Sequence, residues 1–299
     1  MTEIGACWRK ENKIKIGICV ILYMYFFTFA KNVIIMFTLP SYKQLKFSLG
    51  EHDAVVQFQE CARLSLMAGY DIVKQETDLP FPDFIAKESA KYGIHLHNLT
   101  IKEYPNIIFQ NYLVMPNSLL EEFIDDFIND YNVLFNSNIQ LPYVKGKCKL
   151  EKLIDLLNVR GIVNSVQQKE LNLYNYYRLI RNSFVHQLPF KSLSSASVDV
   201  SYFQTEFPQL EAPNEPNLLK FDDFILFTAL VKRIAFQITQ SVESNVCWCS
   251  FLQGNKSKFP KLGKLKGQRA IIYIQNCISA DYGLKLSIED IENSIGPFE

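Results

Sequence analysis

The chain has 299 residues, with 31 basic and 31 acidic side chains, a formal net charge of zero and 48% hydrophobic content. This is ordinary globular composition, long enough for a sizeable core; it excludes a disordered chain, and it excludes inferring a nucleic-acid partner from overall charge. Seven cysteines at positions 7, 19, 61, 148, 247, 249 and 277 exclude a disulfide-stapled miniature and read as free thiols in a reducing, cytoplasmic setting.

Residues 16–30 are uncharged and apolar, follow Arg9, Lys10, Lys13 and Lys15, and continue after Lys31-Asn32 into Val33–Leu39. Three readings stay open: a membrane anchor through residues 16–39 with Lys31 snorkelling, a signal peptide without a small-residue cleavage site, or a start of translation at Met24 or Met36. A helix is expected over Gly50 to Lys74, ended by prolines at 80 and 82. Residues 93–116 are β-prone and broken by Pro105 and Pro116, so they are expected to be extended or irregular.

Ser118 and Glu121 form a Ser-x-x-Glu capping pattern ahead of Leu120, Phe123, Ile124, Phe127, Ile128, Tyr131, Leu134 and Phe135, which recur at helical spacing. The interleaved acids Glu121, Glu122, Asp125, Asp126 and Asp130 read as a solvated face. A second helix is expected from about Lys149 to Val159, with Gly161 beyond its end. A third covers about Gln168 to Gln187, halted before Pro189. A long connection over 189–219 holds four prolines, with a candidate strand at Val198–Phe203, and a fourth helix runs from about Asp222 to Val246.

Four amphipathic helices in succession predict an all-α fold, a four-helix bundle with an additional N-terminal helical or extended region and short C-terminal helices. The expected divisions are a hydrophobic segment at 1–40, an accessory region at 41–116, the helical domain at 117–250 and a basic extension at 251–299. No phosphate-binding glycine loop occurs. Cys247-Trp248-Cys249 has no matching pair and His95 with His97 no third ligand, so neither a metal nor a cofactor is expected.

On a wheel at 100° per residue, Leu173, Tyr177, Ile180 and Phe184 share the core sector of the third helix, while Asn175, Arg178, Asn182 and His186 form a polar stripe. Arg181 lies between the two. An imidazole can take a proton from a ribose 2′-hydroxyl or give one to the leaving oxygen, and a guanidinium can hold phosphate oxygens in the transition state. The 2′-hydroxyl is the internal nucleophile, so the chemistry requires no metal. Arg-x4-His alone is a modest signal, and a histidine in a last turn also suits the helix dipole; Asn directly after Arg narrows the match.

The stretch YYRLIRNSFVHQ resembles the signature of the HEPN superfamily (higher eukaryotes and prokaryotes nucleotide-binding domains), in which Arg-x4–6-His lies on the third helix of a small bundle. The resemblance covers about residues 117–245, and only Arg-Asn-x3-His is specific within it. It implies that Arg181 holds the scissile phosphate, Asn182 orients the site and His186 is general base or acid. It also implies a homodimer with two motifs facing each other, cutting RNA as a toxin or phage-defence effector, with an antitoxin protein as a further partner. Other members are inactive modules that bind RNA, nucleotide or protein, and that alternative stays open. Arg178 is added from the wheel. Lys256, Lys258, Lys261, Lys264, Lys266 and Arg269 crowd together without an acid, as an RNA-backbone strip, a solvated loop or a basic patch on a membrane. Lys145, Lys147, Lys149 and Lys152 form a second basic cluster open to the same readings.

Overall fold

The computed structural model describes residues 36–96, 104–187 and 198–295, and every regular element among them is helical. In chain order these are α1 (Pro40–Thr77), α2 (Phe81–Ala90), α3 (Tyr104–Tyr112), α4 (Val114–Leu134), α5 (Lys149–Val159), α6 (Gln168–Val185), α7 (Val200–Glu206), α8 (Phe221–Ser241), α9 (Trp248–Gly254), α10 (Gln268–Tyr282) and α11 (Ile288–Ile295). The apolar run at 16–30, His97 and the start of the 189–219 connection lie outside the described residues.

Three of the helices begin with the same device. At the third helical position an acid reaches back to the amide of the residue preceding the helix: Glu151 to Cys148 (2.8 Å), Glu170 to Gln167 (2.8 Å) and Asp223 to Lys220 (2.8 Å). Each bond satisfies a backbone donor at the helix entrance, and the carboxylate sits at the positive end of the helix dipole. The exit of α5 is fixed by Gly161 at φ 73°. There the amide of Gly161 donates to Asn158 and that of Ile162 to Leu157, closing a Schellman motif.

The core forms where α4 and α8 meet, and both helices also pack against α1 and α6. Phe123, Ile124 and Phe127 of α4, Phe224, Phe227 and Ile234 of α8, and Leu173, Tyr177 and Ile180 of α6 are all buried. Each such side chain contributes about 1.5–3 kcal/mol through removal from water. Phe184, expected with them, is only half-buried. At the other end of the chain, α9, α10 and α11 pack together around Phe251, whose ring meets Trp248 at 5.5 Å, Tyr282 at 5.4 Å and Phe259 at 6.4 Å.

Several local expectations are corrected. Residues 104–116 are not extended: α3 occupies 104–112 and α4 starts at Val114, four residues before Ser118. Pro105 and Pro116 fall in first helical turns, where a missing N–H costs nothing. Ser118 is therefore inside α4 and donates to the carbonyl of Val114 (3.1 Å), so it caps nothing. The strand expected at Val198–Phe203 is the helix α7, started by Asp199, whose carboxylate accepts the Tyr202 amide at 3.0 Å. Residues 40–77 form one helix of 38 residues, beginning at Pro40 and passing through Gly50 without a break. Its first turn is held from outside, by Asp130 of α4 accepting the Ser41 amide at 2.8 Å.

The described residues from Phe37 onward cluster as one compact unit. Phe37 and Leu39, the end of the N-terminal apolar run, are core residues: Phe37 stacks on Tyr282 at 6.5 Å, and the Thr38 amide donates to the Tyr282 carbonyl at 2.9 Å. Among the described residues no helix is long and apolar enough to cross a membrane.

Candidate functional site

The last turn of α6 carries the Arg-Asn-x3-His motif. His186 is the residue that ends the helix: its amide still donates to the Asn182 carbonyl at 2.9 Å, and Gln187 turns away at φ 53°. The His186 imidazole is exposed, and among the described residues it has no hydrogen-bond partner. Arg181 and Asn182 are half-buried and bonded to each other, Arg181 Nη1 donating to Asn182 Oδ1 at 3.0 Å. Arg181 Nη2 reaches Ser118 Oγ of α4 at 3.5 Å, the outer limit of a hydrogen bond, and Arg181 Nε is buried without a partner. Among the described residues, two of five guanidinium donors are thus used.

One turn earlier, Arg178 is held more firmly. Its Nε donates to Asn175 Oδ1 at 3.0 Å, and Asn175 Nδ2 donates to Glu151 Oε1 at 3.0 Å. Glu151 is the acid that also holds the start of α5, so the relay runs from the Cys148 amide through Glu151 and Asn175 to Arg178. Burial pushes the Glu151 carboxyl up. The hydrogen bonds from Cys148 and Asn175 and the nearby Arg178 charge outweigh this and leave it below its usual range. Glu151 is therefore an anion that orients Arg178. Expected as an exposed arginine or a phosphate contact, Arg178 is half-buried and tethered to the neighbouring helix.

Beneath the two arginines, Tyr174 donates to the buried Asn117 Oδ1 at 3.3 Å, and Asn117 Nδ2 donates to Glu121 Oε1 at 3.4 Å. Burial drives the Tyr174 hydroxyl far above its ordinary value, so it acts only as a neutral donor. Asn117 and Glu151 carry no site signal in the sequence, where Ser118 and Glu121 read as a helix cap and not as neighbours of the arginines.

The six cations of the C-terminal strip are all exposed, and none forms an ion pair among the described residues. Lys256 and Lys258 lie on one 3₁₀ turn, Lys261 and Lys264 around another, Lys266 before α10 and Arg269 in its first turn. Phe259, interspersed among them, is buried against Phe251 and is an anchor for the loop, not a surface for stacking bases. Lys258 is close enough to Asp130 to favour its ionised form, although burial sets that carboxyl above its usual range. Asp130 is twelve residues along α4 from Ser118, about 18 Å at the helical rise. The strip and the Arg181 contact thus belong to opposite ends of α4, and the structure does not bring them together. In the second basic cluster, Lys147 pairs with Asp155, Lys149 with Asp125 at 2.6 Å, and Lys152 lies over the Tyr143 ring at 5.3 Å.

A surface depression of about 440 Å³ is lined by Gln204, Pro208, Glu211, Asn214 and Lys220 among others; Arg178, Arg181 and His186 take no part in it. Among the described residues no three His, Cys, Asp or Glu side chains are grouped to hold a metal ion. Comparison with protein-family models, with curated proteins and with solved structures finds no match for this chain.

Proposed function

We propose that the chain is an endoribonuclease of HEPN type, with Arg181, Asn182 and His186 as its working residues. The observation that carries this reading is the contrast within one helical turn. Among the described residues, Arg181 is half-buried with most of its donors unspent, while the His186 imidazole is exposed and without a hydrogen-bond partner. A phosphate resting on Arg181 would find donors already desolvated, and such charge-assisted bonds are stronger than neutral ones. His186 takes the proton of the ribose 2′-hydroxyl, and the 2′-oxygen attacks phosphorus. The bond to the 5′-oxygen breaks, and that oxygen takes a proton from water. The products are a 2′,3′-cyclic phosphate and a 5′-hydroxyl, and no metal enters the step. Asn182, bonded to Arg181, keeps the guanidinium in place. Lys256, Lys258, Lys261, Lys264, Lys266 and Arg269 serve the flanking backbone of a longer RNA. The setting is cytoplasmic, with a role as a toxin or phage-defence effector under the control of an antitoxin protein.

A second reading rests on Arg178. Its tether through Asn175 to Glu151 spends a cation of the stripe on holding α6 to α5, as suits an inactive module that binds RNA, nucleotide or a protein. Incubation with total RNA in EDTA separates the two. The nuclease reading expects cleavage with cyclic-phosphate ends, none on DNA, and none by His186→Ala. Retention of uncut RNA by both proteins would establish the binding module instead.

A further inference from the structure

The helix α1 presents two faces of different use. Leu45, Leu49 and Val56 are buried on the side that packs against α4 and α8. The outer side leaves large apolar side chains in solvent: Phe58 is 75% exposed, Phe47 62%, Ile72 60%, Val55 54% and Leu64 46%. Single exposed apolar residues are ordinary on a protein surface, but five along one helix are a patch.

The patch has a register. At 100° per residue, Phe47, Ala54, Phe58, Cys61, Ser65 and Ile72 fall within an arc of about 60°, with Val55 and Leu64 on its two flanks. The series 47, 54, 61 and the series 58, 65, 72 each step by seven, which is the seam of a coiled coil. The seam also reads alike from both ends. About a centre between residues 59 and 60, Phe47 stands opposite Ile72, Ala54 opposite Ser65 and Phe58 opposite Cys61. Large side chains face large or medium ones and small face small. A two-fold interface demands this self-complementarity, because residue i must meet residue j while j meets i.

We propose that α1 pairs antiparallel with α1 of a second copy of this chain, Phe58 of each packing on Cys61 of the other across the two-fold axis. The five exposed apolar side chains offer on the order of 600 Å² per copy, so pairing removes about 1,200 Å² from water, within the range of specific interfaces. A lipid surface suits the helix less well, since α1 carries four basic and five acidic residues and lacks the basic excess that anionic headgroups attract. The seam contains none of Arg181, Asn182 and His186, so this assembly stands or falls separately from the RNA-cutting reading.

Sedimentation of the full chain at micromolar concentration tests the proposal, with Phe58→Glu beside the parent. The expected result is a dimeric parent and a variant whose association is at least tenfold weaker at unchanged helix content, which the exposure of Phe58 allows. A short bis-maleimide should give a covalent dimer that is lost in Cys61→Ser and kept in Cys277→Ser. A monomeric parent, a dimer indifferent to Phe58→Glu, or a cross-link indifferent to Cys61→Ser would each overturn the pairing. So would binding of the parent to lipid vesicles that Phe58→Glu abolishes, which would give the face to a membrane.

Discussion

In the first half of α6, Tyr174, Tyr176 and Tyr177 are buried and each hydroxyl has a fixed acceptor: Asn117, the Asn214 carbonyl and Asp223. In its last turn Arg181 has one firm bond, to its own neighbour, and the His186 imidazole is exposed. Both halves are polar; the tyrosines and the Asn175–Arg178 relay to Glu151 use that polarity to position the helix, and the exposed His186 ring does not. Buried hydroxyls without partners would cost stability, so their partners are built in. The last turn leaves the His186 ring in water at no comparable cost, whereas Arg181 Nε is buried without a partner among the described residues.

The comparison breaks first at Asp223. Its carboxylate accepts the Lys220 and Asn214 amides, the Asn214 side chain and the Tyr177 hydroxyl. Asp223→Ala should therefore lower stability by about 3 kcal/mol or more in chemical denaturation, as several buried donors lose their acceptor together. Tyr177→Phe, which removes one bond of 2.8 Å, should cost about 1–2 kcal/mol, with the helix content unchanged.

The half-buried His52 extends the contrast. His52 has its Nε2 buried without a partner and its ring edge-on to Phe224 at 5.8 Å. Burial lowers its pKa, against opposing pulls from the Asp53 charge and the Tyr112 backbone. The unfolded chain thus takes up a proton before the folded one does. The stability His52 contributes is present above the unfolded value of about 6.5 and is lost as pH falls through the lower folded value. Between about pH 7 and 5, thermal midpoints of the parent should fall more steeply than those of His52→Gln. Equal slopes would remove His52 from the account.

How much of this was legible follows from where each signal lies. The bounds of α5 were readable because Leu150, Leu153 and Leu157 keep helical spacing and Gly161 marks the exit. The start of α1 was not: Gly50 looks like a boundary, while the holding contact on Ser41 comes from Asp130, 89 positions away in sequence. The starts of α5, α6 and α8 were readable to within a residue from helical spacing, although Cys148, Gln167 and Lys220 are not capping residues and only the acid three positions later marks the bond that holds each start. At the candidate site, the wheel placed Asn175, Arg178 and Asn182 on one stripe, and all three are half-buried together. It did not place Glu151 and Asn117 against them, since that depends on how α4, α5 and α6 pack.

The smallest expected effect on folding is at His186. His186→Ala should leave stability within about 0.5 kcal/mol of the parent, as for other exposed positions. That makes one paired measurement the most direct test of the central claim, that the last turn of α6 is free for chemistry: thermal unfolding and RNA cleavage in EDTA, on the same preparations of parent and His186→Ala. The account predicts equal unfolding midpoints, cleavage by the parent and none by the variant. Cleavage that survives in His186→Ala, or a large loss of stability in the variant, would contradict it.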